Sequence, residues 1–340
     1  MFNDRKKVYF IYSAVIAVIG LGLYFSLTSG SYSLTVKETF QTLFRMEKNP
    51  QYDLIIFDFR LPRIVIGAMV GFGLGTAGAV LQGITRNPLA DPGILGINAG
   101  AGAAIVGFLF FFQGQIMDVN WVSILAMPLF GWFGGITAVL LILFFATEKG
   151  RLDPQTFILV GIAVSAGFGA ITLFISLKMN PSDYETAAVW LAGSVYSANW
   201  KYVWTILPWV LVLTPLIIYK AKVLDIFSLV DGSIKGLGVS LTKERYLLIF
   251  YSVGLVSACV SVSGSIGFVG LIAPHIARQL LGVRHIRILP LSGLIGMAMV
   301  VVGDWIGKTI FAPAQLPVGI VISIIGVPYF VYLLFRARKT

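Results

Sequence analysis

The chain has 340 residues, of which 57% are hydrophobic and only 12% charged, with a formal net charge of +10. A soluble domain carries about a quarter of its residues charged, so this composition, with a mean hydropathy of +0.89, excludes an ordinary water-soluble fold. The basic excess does not point to nucleic acid either: Lys and Arg gather in short islands between apolar runs and form no stripe with interleaved aromatics. The single cysteine, Cys259, lies in an apolar run and cannot make an internal disulfide. With only two histidines, His275 and His285, no metal centre is expected.

The chain opens on Arg5-Lys6-Lys7 followed by apolar residues from Val8 to Leu27. That run reads as a retained first helix that starts in the cytoplasm. About ten spans follow one another, roughly 8–28, 61–84, 93–113, 121–146, 154–178, 201–220, 244–264, 268–282, 288–311 and 317–335. The eighth is too short for an ordinary full crossing. Ten crossings put both termini on one side. Basic residues favour the segments of that side by roughly two to one, which makes the termini cytoplasmic. Arg336-Ala337-Arg338-Lys339 is a strong inner anchor. The expected fold is all-α: one polytopic transmembrane domain over 1–340, with one short or broken helix.

Three segments outside the spans are long enough to do work. Residues 29–60 form an outer loop, where Val36, Phe40, Phe44 and Met46 alternate with Lys37, Gln41 and Arg45 as in an amphipathic helix on a membrane surface. Residues 179–200 form a second outer segment, with Trp190 and Trp200 as interface anchors. Residues 221–243 form the longest inner loop.

Between the second and third spans stands the polar turn Arg86-Asn87-Pro88-Leu89-Ala90-Asp91-Pro92-Gly93. Its prolines and glycine stop one helix and start the next, and Asp91 is placed to cap the incoming helix. The stretch Ser261 to Gly270, with Ser263, Gly264, Gly267 and Gly270, is too rich in glycine and serine for a stable helix. It reads as a helix break near the outer side, bordering a transport path, because bare backbone at depth is tolerated only beside protein or a water cavity.

No Walker-type phosphate loop is present, and Asp304 is the only acidic residue well inside a span. A proton- or sodium-driven carrier shows ionisable groups at mid-membrane, and no nucleophile–base–acid set points to catalysis. A passive pathway energised from elsewhere is the main reading. An ATP-independent channel or secondary carrier is the alternative.

Five motifs in order give this pathway a family. They are Arg60-Leu61-Pro62-Arg63; Gln82 with the turn Arg86 to Pro92; Gly267 to His275 (GFVGLIAPH); Leu316-Pro317-Val318-Gly319; and Gly326-Val327-Pro328-Tyr329-Phe330. From about residue 55 to its end the chain resembles the FecCD-type permease subunits of ABC importers for iron-siderophores, haem and cobalamin. The resemblance implies a bacterial inner-membrane subunit translocating ferric siderophore, or alternatively cobalamin or haem. It implies as partners a second permease subunit, two cytoplasmic ATPase subunits holding ATP and Mg, and an extracytoplasmic binding (lipo)protein. No cofactor is expected on the chain itself. By the same resemblance Arg60, Arg63 and Lys308 would meet acidic residues of the binding protein, with lysine replacing the usual arginine at 308. Leu229, Asp231, Gly232, Leu237 and Gly238 would press into the ATPase. Gln315 stands where the family often has Glu.

Overall fold

A bilayer core offers no water to an unpaired backbone group, so each apolar run closes its hydrogen bonds within a helix. The computed structural model describes residues 2–30, 32, 34–46, 49–93, 96–112, 121–148, 151–227 and 241–337. Its helices are α1 (Phe2–Thr28), α2 (Val36–Leu43), α3 (Pro50–Asp53), α4 (Leu61–Thr85), α5 (Ile97–Phe112), α6 (Trp121–Ala146), α7 (Pro154–Ser176), α8 (Pro181–Leu191), α9 (Trp200–Tyr219), α10 (Ala221–Phe227), α11 (Leu241–Ser263), α12 (Val269–Leu281), α13 (His285–Ile310) and α14 (Val318–Ala337). A two-residue antiparallel ribbon, Thr147–Glu148 with Arg151–Leu152, joins α6 to α7. Seven helical stretches among the described residues are long and apolar enough to cross a membrane, and α5 and α14 contribute shorter apolar helices. With the 13-residue α12, each of the ten expected spans has a helical counterpart.

α4 is the axis of the bundle. It runs antiparallel to α13, and the two meet at backbone distance. A Cβ on Gly71 would overlap the Gly296 carbonyl, and one on Gly75 would overlap that of Ser292. Small residues allow this approach, which replaces the water-driven burial that lipid cannot supply. Lower down, a Cβ on Gly78 would strike the Gly270 carbonyl, so α12 is pressed against the same helix. By contrast α7, the most apolar of the long spans, is almost unburied within the chain.

α4 is entered through a π-helical stretch, Leu54–Arg60. Its cause is local. The Leu61 N–H bonds the carbonyl of Ile56, five residues back, and Pro62 has no N–H to give. The Phe57 carbonyl, which an α-helix would give to Leu61, is taken by the Trp200 indole, whose Nε1 donates to it at 2.7 Å. Trp200 therefore closes a bond that Pro62 cannot.

Ahead of it, α2 is fixed by a capping box in which Thr35 and Glu38 bond each other's backbone N–H. The Thr35 hydroxyl, followed by the Thr35 N–H and Tyr52, holds the Glu38 carboxyl below its ordinary range. Thr39 and Thr42 point inward, with their hydroxyls returned to backbone carbonyls, while Val36, Phe40, Phe44 and Met46 point outward. This inverted pattern fits a helix whose outward face does not meet bulk water.

Replacing Trp200 by Phe should lower stability by about 1 kcal/mol, the worth of one such hydrogen bond. It would be read as a lower thermal midpoint of the detergent-solubilised chain. Pro62→Ala, which restores a donor to the Phe57 carbonyl, should shrink that loss in the double variant.

Candidate functional site

Three places bring polar groups together: the outer end, the joint between the polar turn and α12, and the contacts of α10 at the inner end. At the outer end, Arg60 closes the π-helical stretch, Arg63 sits in the first turn of α4 and Lys308 in the last turn of α13. They converge on a cavity of about 550 Å³ that Tyr32, Asp58, Tyr196 and Gln315 also line. The structure thus unites the three basic residues singled out in the sequence, but it does not present them outward. Arg60 is buried, and its guanidinium donates to the carbonyls of Leu27 and Tyr32. Lys308 is buried too, and its Nζ donates to the Ser26 carbonyl at 2.7 Å and the Ser26 hydroxyl at 2.8 Å.

The reason is the end of α1. The last carbonyls of a helix have no partner within it and carry the negative end of its dipole. Ser26 and Leu27 lie in the last turn of α1, so two cations from other helices cap it. Arg63 takes the third arrangement. Its Nε donates to both carboxylate oxygens of Asp304, at 3.1 and 2.9 Å, and its Nη2 to Oδ1 at 2.8 Å. Nη1 donates to Gln315 Oε1 at 2.7 Å, and the guanidinium lies 5.5 Å from the centre of the Tyr196 ring. Asp304, the one acid expected inside a span, is therefore a structural counter-ion. Gln315 accepts one bond without adding a second negative charge.

Beyond the end of α4 the polar turn reaches α12, the helix that follows the break. Arg86 ends α4 in the left-handed region, with φ of 52°. Asn87 Oδ1 then accepts from the Leu89 N–H at 2.9 Å, an Asx turn. Asp91 lies six residues ahead of Ile97, the first residue of α5. Its Oδ2 accepts from the Gly93 N–H at 3.0 Å. Its Oδ1 faces α12: a Cβ on Gly270 would lie 2.9 Å from it and 2.6 Å from Pro92 Cδ. The N-cap of α12 is Phe268, left-handed and without a capping side chain. A buried carboxylate from another segment thus stands at that first turn, where negative charge is favoured. Gln82 reinforces the joint, its Nε2 lying 3.3 Å from the carbonyls of Gly270 and Leu271.

The helix is interrupted within the stretch Ser261 to Gly270. α11 ends at Ser263, Gly264 turns left-handed with φ of 69°, and helix resumes at Val269. A Cβ on Gly264 would strike the Trp190 carbonyl, and the Ser194 N–H bonds the Ser263 carbonyl at 2.7 Å. Ser265 and Gly267 line a cavity of about 660 Å³, together with Asp91, Asn98, Ser165 and Tyr184. Both α5 and α12 begin beside it. Asp91 and Gly93 from one interruption and Ser265 and Gly267 from the other thus face one cavity, where backbone outside a helix is tolerated.

At the inner end, α10 is pinned to the bundle. Asp225 Oδ1 accepts from the backbone N–H of His285 at 2.8 Å and lies 2.7 Å from its Nδ1. Arg86 Nε donates to the Phe227 carbonyl, and Lys220 pairs with Glu244 at 2.8 Å. These ties were not singled out in the sequence; only the Arg–Asn–Pro signature of the turn marked one of their members. The coupling residues Leu229, Asp231, Gly232, Leu237 and Gly238 lie outside the described residues.

The outer ion pair yields a clear expectation. Asp304→Ala leaves a largely buried guanidinium with only Gln315 as a side-chain partner and should cost about 2–3 kcal/mol, short of the full cost of breaking a fully buried pair, whereas Arg63→Met with Asp304→Leu should recover most of it. Thermal midpoints of the solubilised variants test this. Equal losses in the single and double variants would show that the pair is not the source.

A profile of the FecCD transport family matches residues 17–336. The iron-uptake system permease protein FeuC of Bacillus subtilis (strain 168) is 53% identical over 333 residues, covering 98% of each chain. The iron(3+)-hydroxamate import system permease protein FhuG of the same organism is 42% identical over 338 residues, covering 99% of this chain and 100% of its own. Among solved structures, an inward-facing ABC transporter described as of metal-chelate type superposes with a TM-score of 0.83 at 29% identity, covering 96% of this chain and 99% of the other.

Proposed function

The chain belongs to the FecCD transport family, and from that premise we propose that it is the permease half of a binding-protein-dependent ABC importer carrying ferric siderophore into the bacterial cytoplasm. The observation that carries this reading is end-to-end similarity at 53% identity to an iron-uptake permease. The geometry is consistent with it. The exposed apolar face of α7 offers a surface to a second permease subunit, and the cavity lined by Ser265 and Gly267 opens beside that helix. ATP and Mg would be held by two cytoplasmic ATPase subunits, with energy entering through the segment that follows α10. The chain itself would carry no catalysis.

An extracytoplasmic binding protein would deliver the cargo to the outer cavity. Arg60, Arg63 and Lys308 bring three positive charges there against Asp304 and the exposed Asp58. A carboxylate on the binding protein would complete that balance by sharing the cations with the α1 carbonyls. A lysine at 308 supplies a point charge with three donors, without the planar fork of an arginine.

The test is uptake of radiolabelled iron, offered with a panel of siderophores, in a deletion strain complemented under iron limitation. The wild-type chain should restore uptake of at least one ferric siderophore. Arg60→Glu with Arg63→Glu should abolish it while the protein still inserts in the membrane, and binding-protein affinity should fall by at least tenfold, about 1.4 kcal/mol. Normal affinity in that double variant would remove docking from these residues.

A further inference from the structure

The two polar clusters at opposite membrane faces are attached to one helix. α13 has 26 residues, so it is about 39 Å long. Its first residue, His285, gives both its backbone N–H and its ring Nδ1 to a single oxygen of Asp225, at 2.8 and 2.7 Å. Its own N-cap, Arg284, supplies no capping side chain. Asp225 is therefore the cap of α13, contributed by α10, the short helix that leads into the inner loop. At the other end of α13, Asp304 grips Arg63 and Lys308 reaches Ser26 of α1. Between the ends, Gly296 and Ser292 touch the backbone of α4, with no side chain in between to absorb a displacement.

We infer that α13, packed backbone to backbone on α4 beyond Pro290, is a connector and that Asp225 is the positioning residue fastening it to α10, so that nucleotide binding inside alters the capping of α1 and the basic cluster outside. This rests on the importer reading. A packed backbone contact transmits a shift as a unit because interiors are close-packed and resist gradual deformation. A charge-assisted double bond to one carboxylate oxygen is a strong grip at a helix terminus.

The experiment is amide hydrogen exchange on the complex with its ATPase subunits in nanodiscs, with and without Mg–ATP plus vanadate. In the wild-type complex the nucleotide should change protection at residues 26–32 and 304–316. Asp225→Ala should reduce that outer change at least about fivefold, the lower end of ordinary coupling between sites. Asp225→Asn, which keeps an oxygen acceptor in the same place, should restore most of it. The inference is overturned by an outer response in Asp225→Ala equal to the wild type, or by no outer response in a wild-type complex that hydrolyses ATP. Failure of the chain to assemble with an ATPase would instead remove the importer reading itself.

Discussion

The contact between α4 and α13 is the constraint on which the other features depend. Lipid provides no hydrophobic force between helices, so the bundle needs close backbone approach to hold together. Gly71, Gly75 and Gly296 provide it at the centre. That contact sets the height of Arg63 opposite Asp304 near the outer end and of Gly78 opposite Gly270 further in. A different packing distance would leave the guanidinium short of its carboxylate and the start of α12 without its supporting wall.

Charge is handled in a consistent way. Few ionisable groups lie within the spans, and those described here answer a backbone end or each other. Arg60 and Lys308 close the carbonyl end of α1. Asp91 and Asp225 stand at the amino ends of α12 and α13. These two cations meet the negative pole of a helix and these two carboxylates a positive one, while Arg63 and Asp304 answer each other. Polar side chains that look functional in isolation therefore also stabilise the fold, and any partner that docks on them competes with bonds already made.

The spans were legible in the sequence because hydropathy and punctuation are local. The predicted 121–146 and the short 268–282 appear as Trp121–Ala146 and Val269–Leu281. The late start of α5 was not, because its cause is distant: the turn from Arg86 to Gly93 is held by Asp91 and Pro92 against Gly270, and helix resumes only at Ile97. The glycine and serine content betrayed the break at Gly264, but nothing near it named Trp190 as its neighbour. The motif marked Arg63 as important, while its partner Asp304 lies 241 residues away. Arg60 was read outward from the family resemblance of its motif. The carbonyls that draw it inward belong to α1, whose proximity only the packed bundle reveals.

The capping of α1 bears on how the protein is made. α1 is synthesised ahead of α13, yet the Ser26 carbonyl at its outer end is closed by Lys308, 282 residues further along the chain. Closing so long a loop is deferred until the intervening spans have entered the bilayer. Until then the Ser26 carbonyl must bond water or lipid headgroups, whereas Leu27 is answered earlier, by Arg60. The closing of Ser26 by Lys308 thus becomes a marker of finished assembly.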